Sequence, residues 1–201
     1  AVINAAAYTA VDKAEEDEEL ATIINGDTPT KIAKTCAEMQ IPFIHISSDY
    51  VLAGSGEVPW TPRDATAPQG AYGRSKSAGE EGIRNSGANY VILRTSWVVS
   101  AHGTNFVKTM LRLSETRDAL SVVTDQIGGP TPARDIAGAC LMIVKQLQEN
   151  PSKSGIYHYS GTPNVSWADF ASEIFAQTAR SVTVIPIQTT EYPTPAKRPL
   201  N

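Results

Sequence analysis

The sequence predicts an α/β fold built on an open parallel sheet, and three observations carry that prediction. Residues Ile41 to Ile46 form a largely apolar and β-branched run of the kind a strand buried in a parallel sheet requires. The run ends in Ser47-Ser48-Asp49, which brings hydroxyl and carboxylate groups to the carboxyl edge of the sheet, where open α/β folds bind ligands. A loop, a helix opening at Ala71 and a second apolar strand from Tyr90 to Arg94 follow in the alternation that parallel pairing needs.

The elements follow in order. Ala1 to Ala7 is small and apolar and reads as a strand, its end flat enough for a planar ligand to approach the backbone. Glu15 to Glu19 is a five-residue acidic run that complements the dipole of a helix start and is otherwise a solvated face. A helix is expected from Thr28 to Met39 with Pro29 in its first turn, and Gln40-Ile-Pro turns the chain into the central strand. The loop after Tyr50 holds Gly54, Gly56, Pro59, Trp60, Pro62 and Pro68; irregular stretches of that length in compact domains are usually functional. The helix from Ala71 runs on to about Gly87. Asn105 to Glu115 places Phe106, Met110, Leu111 and Leu113 in an amphipathic helical pattern. Leu120 to Thr124 reads as a short strand, and Asp125 to Thr131 as a tight glycine-bearing turn. Arg134 to Leu147 is a long helix with an apolar face, Gly155 to Tyr159 a strand, and Ser166 opens a helix with Trp167, Phe170, Ile174 and Phe175 on its apolar side. Ser181 to Ile187 is a last strand, and Pro193 to Pro199 an extended rim.

Composition narrows the function. The 201 residues are 41% hydrophobic with a net charge of −4, an ordinary globular balance without the basic block that nucleic-acid binding needs. Apolar runs fall far short of the ~20 residues that span a bilayer, and no leader pattern directs export, so a cytoplasmic protein without membrane or nucleic-acid partners is expected. Cys36 and Cys140 lie in predicted helices without metal-ligand spacing and read as reduced core cysteines. The three histidines are scattered singly, so no catalytic metal is expected.

The chemistry concentrates between His45 and Lys76. Tyr72 and Lys76 stand four apart and so share one helical face. A phenol titrates near pH ~10, and an adjacent ammonium lowers that value. Ser48 could hold a substrate oxygen while Tyr72 exchanges a proton with it, an arrangement suited to a carbonyl that is receiving a hydride. Tyr-x-x-x-Lys alone is a weak signal, since 7 tyrosines in a chain of this size supply about 0.3 such pairs by chance. Its setting, strand, Ser-Ser-Asp, loop, then helix, is what gives it weight.

Seven sequence words strengthen the reading: Asn4-Ala-Ala-Ala-Tyr-Thr-Ala-Val-Asp12, Ser47-Ser-Asp-Tyr-Val51, Tyr72-Gly-Arg-Ser-Lys76, Arg94-Thr-Ser-Trp-Val98, Asn105-Phe, Asp125-Gln-Ile-Gly-Gly-Pro-Thr131 and Tyr192-Pro-Thr-Pro-Ala-Lys-Arg-Pro199. In these words, their order and their coverage of nearly the whole chain, the sequence resembles the dTDP-4-dehydrorhamnose reductases of the extended short-chain dehydrogenase/reductase superfamily. The resemblance implies a partial Rossmann-type, doubly wound parallel sheet with an interleaved smaller α/β substrate domain. Residues 1–98 and 133–161 would form the dinucleotide-binding part, and 99–132 and 162–201 the substrate part. It also implies reduction of the C4 ketone of dTDP-4-dehydro-L-rhamnose, with NADPH as the usual donor and NADH left open. Carried over by position, Tyr72 is the proton donor, Lys76 touches the nicotinamide ribose, Ala7, Tyr8 and Thr9 line it, Ser48 and Asp49 contact the sugar, and Trp97 flanks it.

The Gly-x-Gly-x-x-Gly phosphate cradle occurs nowhere in the chain. By resemblance it lies upstream, so the chain is expected to be a fragment of a longer protein and to bind dinucleotide weakly by itself. Some members hold an intersubunit metal with a Glu where Arg134 stands here; Arg cannot ligate a cation, so a monomer or a homodimer is left open. Two rival readings remain: a cofactor-binding regulatory subunit of a methionine adenosyltransferase, and another nucleotide-sugar epimerase or dehydratase. The presence of Ser48, Tyr72 and Lys76 together favours the enzyme over the first; the second fits the Ser-Trp and Asp-Gln words less well.

Overall fold

The computed structural model describes residues 1–201. The first half runs β1 (Val2–Asn4), α1 (Glu18–Thr22), α2 (Thr28–Glu38), β2 (Phe43–Ser48), α3 (Ala71–Arg84) and β3 (Tyr90–Thr95). The second runs β4 (Val98–Val99), α4 (Phe106–Leu113), β5 (Ala119–Val123), β6 (Ile127–Gly128), β7 (Thr131–Pro132), α5 (Ala133–Glu149), β8 (Gly155–His158), β9 (Val165–Ser166), α6 (Trp167–Gln177) and β10 (Thr183–Ile187).

The main sheet has the order β1-β2-β3-β8, all parallel, and the α/β expectation holds. The two-residue period of β2 and β3 sorts their side chains between two helical layers. Ile44, Val91 and Leu93 face α5 through Ile136, Ala139, Cys140 and Leu147, while Phe43 and Ile92 face Ala33 and Cys36 of α2 and Ile83 of α3. Both cysteines are buried and free. A second core joins Met110 of α4, Leu120 and Val122 of β5, and Ala168, Ala171, Ile174 and Phe175 of α6, capped by the parallel β5–β10 pair. Short pairings, β4 with β7 and β6 with β9, stitch the chain between the two cores. No helix is long and apolar enough to cross a membrane.

One predicted boundary moves, and one helix start has an unexpected lead-in. The first strand stops at Asn4 rather than Ala7, because the Asn4 side chain accepts from the Ala6 N–H at 3.1 Å and turns the backbone out of the ladder. α2 starts at Thr28 as expected, but α1 leads directly into it through a π-helical turn, Ile23–Asp27. Pro29, which has no N–H to give, is tolerated in mid-run because the widened turn precedes it. Asn25 in that turn is 1% exposed; it accepts from Tyr8 N at 2.8 Å and donates to Tyr8 O and to Ser75 Oγ, both at 3.0 Å, tying the segment after β1 to α3. Gly79 lets α3 approach, since a Cβ there would collide with the Asn25 carbonyl.

Candidate active site

β2 delivers Ser48 at its last position in extended backbone, and the chain then enters a short 3-10 turn, Asp49–Val51. The Ser48 hydroxyl accepts from Tyr50 N at 3.2 Å and donates to Asp49 Oδ1 at 2.7 Å, so serine and carboxylate form one unit at the sheet edge. Across from them α3 begins at Ala71 behind Gly70, which has no side chain to cap it. The acidic run, expected to complement a helix start and otherwise to be a solvated face, supplies the cap. Glu15 Oε1 accepts from Ala71 N at 2.8 Å, and Glu18 takes Arg74 in a two-point pair at 2.7 and 2.8 Å. The start of the helix that carries Tyr72 and Lys76 is therefore held from outside.

Burial dominates the electrostatics. It pushes the Tyr72 phenol well above the usual range, with the Asp49 and Tyr50 charges adding to the rise and the Ser48 hydroxyl opposing it. Tyr50, edge-on to Tyr72 at 5.3 Å, is raised by burial to about 12 despite the Arg198 guanidinium, and burial raises Asp49 to about 6 against its bond from Ser48. Lys76 is 2% exposed and lowered by burial to about 8, although Glu80 acts the other way. Lys76 is not among the groups that set the Tyr72 phenol here. Lys76 Nζ turns from Tyr72 to Ile46 O at 2.7 Å and His45 Nε2 at 3.2 Å.

These groups face a cavity of about 700 Å³. Ser48, Asp49, Tyr72, Lys76 and Trp97 all line it, with Ala7 and Thr9 from the segment after β1; Tyr8 does not line it, and packs, as Tyr72 does, against Ala14, Ala21 and Ala71. Trp97 adopts φ 48°, an outlier for a bulky side chain, and its indole stacks on Trp167 at 3.4 Å and 9°. Gly128 explains part of the glycine-bearing turn: a Cβ there would stand 2.6 Å from the Trp97 ring. Gln126 also lines the cavity and fixes Trp167 by accepting from its Nε1 at 3.1 Å. Behind the site Glu80 ties α3 to two strands, taking Ser47 Oγ at 2.6 Å and Arg94 at 2.9 and 2.6 Å, with both partners of the ion pair 3% exposed. No three His, Cys, Asp or Glu side chains come together to hold a metal.

The RmlD substrate binding domain family matches the chain over residues 1–201. The chain belongs to that family. The chain is 45% identical over 206 residues to the dTDP-4-dehydrorhamnose reductase of Sinorhizobium fredii, spanning 100% of the chain and 70% of that protein. Among solved structures, the dTDP-4-dehydrorhamnose reductase of Clostridium acetobutylicum matches with a TM-score of 0.93 at 42% identity, over 99% of this chain and 69% of that one. That of Bacillus anthracis, solved in complex with NADP, also gives 0.93, at 38% identity over 98% and 69%. The resemblance drawn from the sequence words is borne out, and the relatives are oxidoreductases.

Sequence reasoning missed Asn25, His45, Gln126 and Trp167 as parts of the site's frame. A buried histidine inside an apolar strand run was a usable signal. Trp167 gave none, since it also fits the apolar side of α6, whose Ser166 cap and Asp169 form a capping box.

Proposed function

We propose that this chain carries the reacting half of an NADPH-dependent reductase acting on the C4 ketone of dTDP-4-dehydro-L-rhamnose to give dTDP-L-rhamnose. The observation that supports it is the meeting of Tyr72, Ser48 and Asp49 on one largely apolar cavity, with Lys76 in the same wall. Ala5, Ala7, Thr9, Ile136 and Cys140 line the same cavity with small or apolar side chains, a lining suited to a nicotinamide ring. When bound, the cofactor supplies the hydride. Residues 1–98 and 133–161 would hold it, with Ala7, Thr9 and Lys76 nearest the ribose and Tyr8 acting only through packing. Residues 99–132 and 162–201 would hold the sugar nucleotide, with Trp97 flanking the sugar and Ser48 and Asp49 binding its oxygens.

Ser48 orients the ketone oxygen and Tyr72 gives it a proton. Burial suits this direction, because a phenol held above its usual pKa stays protonated at neutral pH until a stronger base appears. The alkoxide developing on the substrate is that base.

The test is NADPH consumption by the full-length protein with dTDP-4-dehydrorhamnose. Tyr72→Phe keeps the ring and its packing, so single-turnover hydride transfer should fall by ~10²–10⁴-fold with little change in substrate binding. A variant that keeps the wild-type rate would remove Tyr72 from the mechanism, and a wild-type protein without turnover would remove the reductase reading.

A further inference from the structure

Four of the six buried polar side-chain atoms that lack a protein partner gather in one place: Trp60 Nε1, Arg94 Nη1, Thr95 Oγ1 and His158 Nε2. Their residues line a second cavity, of about 140 Å³, together with Asp49, Gly128 and Asn164. Arg94 and Thr95 are 3% and 7% exposed, so neither reaches bulk water instead. A buried donor or acceptor left unmatched is costly, and four around one chamber call for a polar occupant.

Size and charge say which. At about 30 Å³ each, about four water molecules fit the chamber. An anion does not suit it. The Arg94 guanidinium is already taken by both oxygens of Glu80, the Asp49 carboxyl stands in the same wall, and burial keeps His158 from charging. A cation would meet the N–H donors of Trp60 and Arg94. Water both gives and takes, and so matches the set.

The chamber adjoins the catalytic cavity, since Asp49, Thr95 and Ser96 line both. From Asp49 the contacts lead inward: its Oδ1 accepts from the Ser48 hydroxyl at 2.7 Å, and that hydroxyl acts on the Tyr72 phenol. Outward, Arg94 also lines an open hollow with Thr61, Arg63, Asp64 and Arg84, and the Asp64 carboxylate feels both His158 and Arg94. A row of exchangeable protons thus runs from Tyr72 toward the surface through none of the residues assigned to the cofactor.

We propose that ordered water held by Trp60, Arg94, Thr95 and His158 is a proton supply that refills Tyr72 through Asp49 and Ser48 after each reduction. The water site stands on the unmatched groups; its use rests on the reductase reading above. Each turnover moves one hydride from the cofactor and one proton from Tyr72 to the substrate, leaving a phenolate. The phenolate takes the Ser48 proton as Ser48 takes one from the Asp49 carboxyl. Chamber water returns a proton to the carboxylate and draws its replacement from solvent past His158. One solvent proton enters per turnover, and no other reactant is needed. Burial brings Asp49 to about 6, which lets its carboxyl carry a proton near neutral pH. His158 is a positioning residue, holding water without lining the catalytic cavity.

Two measurements on the full-length protein test this. A high-resolution crystal structure without nucleotide should show ordered water within hydrogen-bond distance of the four atoms. A chamber without such density overturns the proposal whether or not the protein is a reductase. In stopped flow with NADPH and dTDP-4-dehydrorhamnose, His158→Phe should oxidise the first equivalent at close to the wild-type rate, because Tyr72 starts protonated. Later turnovers should slow by about tenfold or more and carry a larger solvent deuterium isotope effect. His158→Gln keeps a polar end and should restore most of the loss. A merely structural His158 would slow the first turnover as much as the later ones, and an unchanged steady state would mean that Tyr72 refills by another way; either result overturns the proposal. If His158→Phe does not fold, Thr95→Val takes its place under the same criteria. A wild type without turnover but with the waters in position would leave the site and remove its use.

Discussion

Ser48, Tyr72 and Lys76 were legible from the sequence because spacing and residue type alone put them at one sheet edge. Their proton affinities were not, because burial sets them. Asp49 shows how this should appear in solution. Its carboxyl is raised from 3.8 to about 6, so between those values the folded protein binds a proton more readily than the unfolded chain. The sign follows directly: stability present below pH ~4 is lost as pH rises through 6. At about 1.36 kcal/mol per unit, and with water reaching part of the side chain, the loss is of the order of 1–3 kcal/mol. Urea unfolding at pH 4 and pH 7 should therefore show a larger drop in wild type than in Asp49→Asn, which cannot titrate. Equal drops in the two proteins would mean that Asp49 is solvated. The pairing of His45 with Asn4 stayed illegible for a different reason, since a lone polar side chain in an apolar run marks itself but does not name its partner.

At the scale of elements, helices and strands were readable from periodicity, and their ends were less so. A cap can come from far along the chain, as Glu15 does for α3 across 56 positions, and no local pattern announces that one. The two acidic contacts on that helix differ in worth. Glu15 satisfies a backbone N–H that nothing else caps, a contact worth about 1 kcal/mol. Glu18 and Arg74 are 43% and 47% exposed, and a pair so wetted contributes only ~0.2–1 kcal/mol, screened by salt. Glu15→Ala should thus lower the melting temperature by about 2–4 °C, unchanged by 0.5 M salt. Glu18→Ala should cost less, and its cost should fade in salt. Scanning calorimetry at two ionic strengths separates them, and a salt-sensitive Glu15 effect would contradict the capping role. The π-helical turn was illegible too, because Pro29 reads as a start signal wherever a helix is assumed to begin.

At the scale of the whole molecule, two cores face each other across the cavity, and the chain's far end helps close it. Asp12 takes Arg198 Nη2 at 2.6 Å and the Ala196 N–H at 3.1 Å, while Leu200 donates to Gly54 O at 2.8 Å. Sequence words supplied the family and, through it, the interleaving of segments; which side chains would meet between the cores was outside their reach. The Trp97–Trp167 stack is such a meeting, joining the strand ends of the main sheet to the first turn of α6. It also gives the protein an optical signature. Two indoles 3.4 Å apart and nearly parallel share their excited state, so their paired transitions should add a bisignate band to the ultraviolet circular dichroism, and Trp60, the third tryptophan, has no part in it. Trp167→Phe should abolish the band while leaving the helical signal intact, and a band that survives would show that the two rings do not stack in solution. A ligand that parts the rings or presses them closer would then be seen by its effect on light, with no label attached.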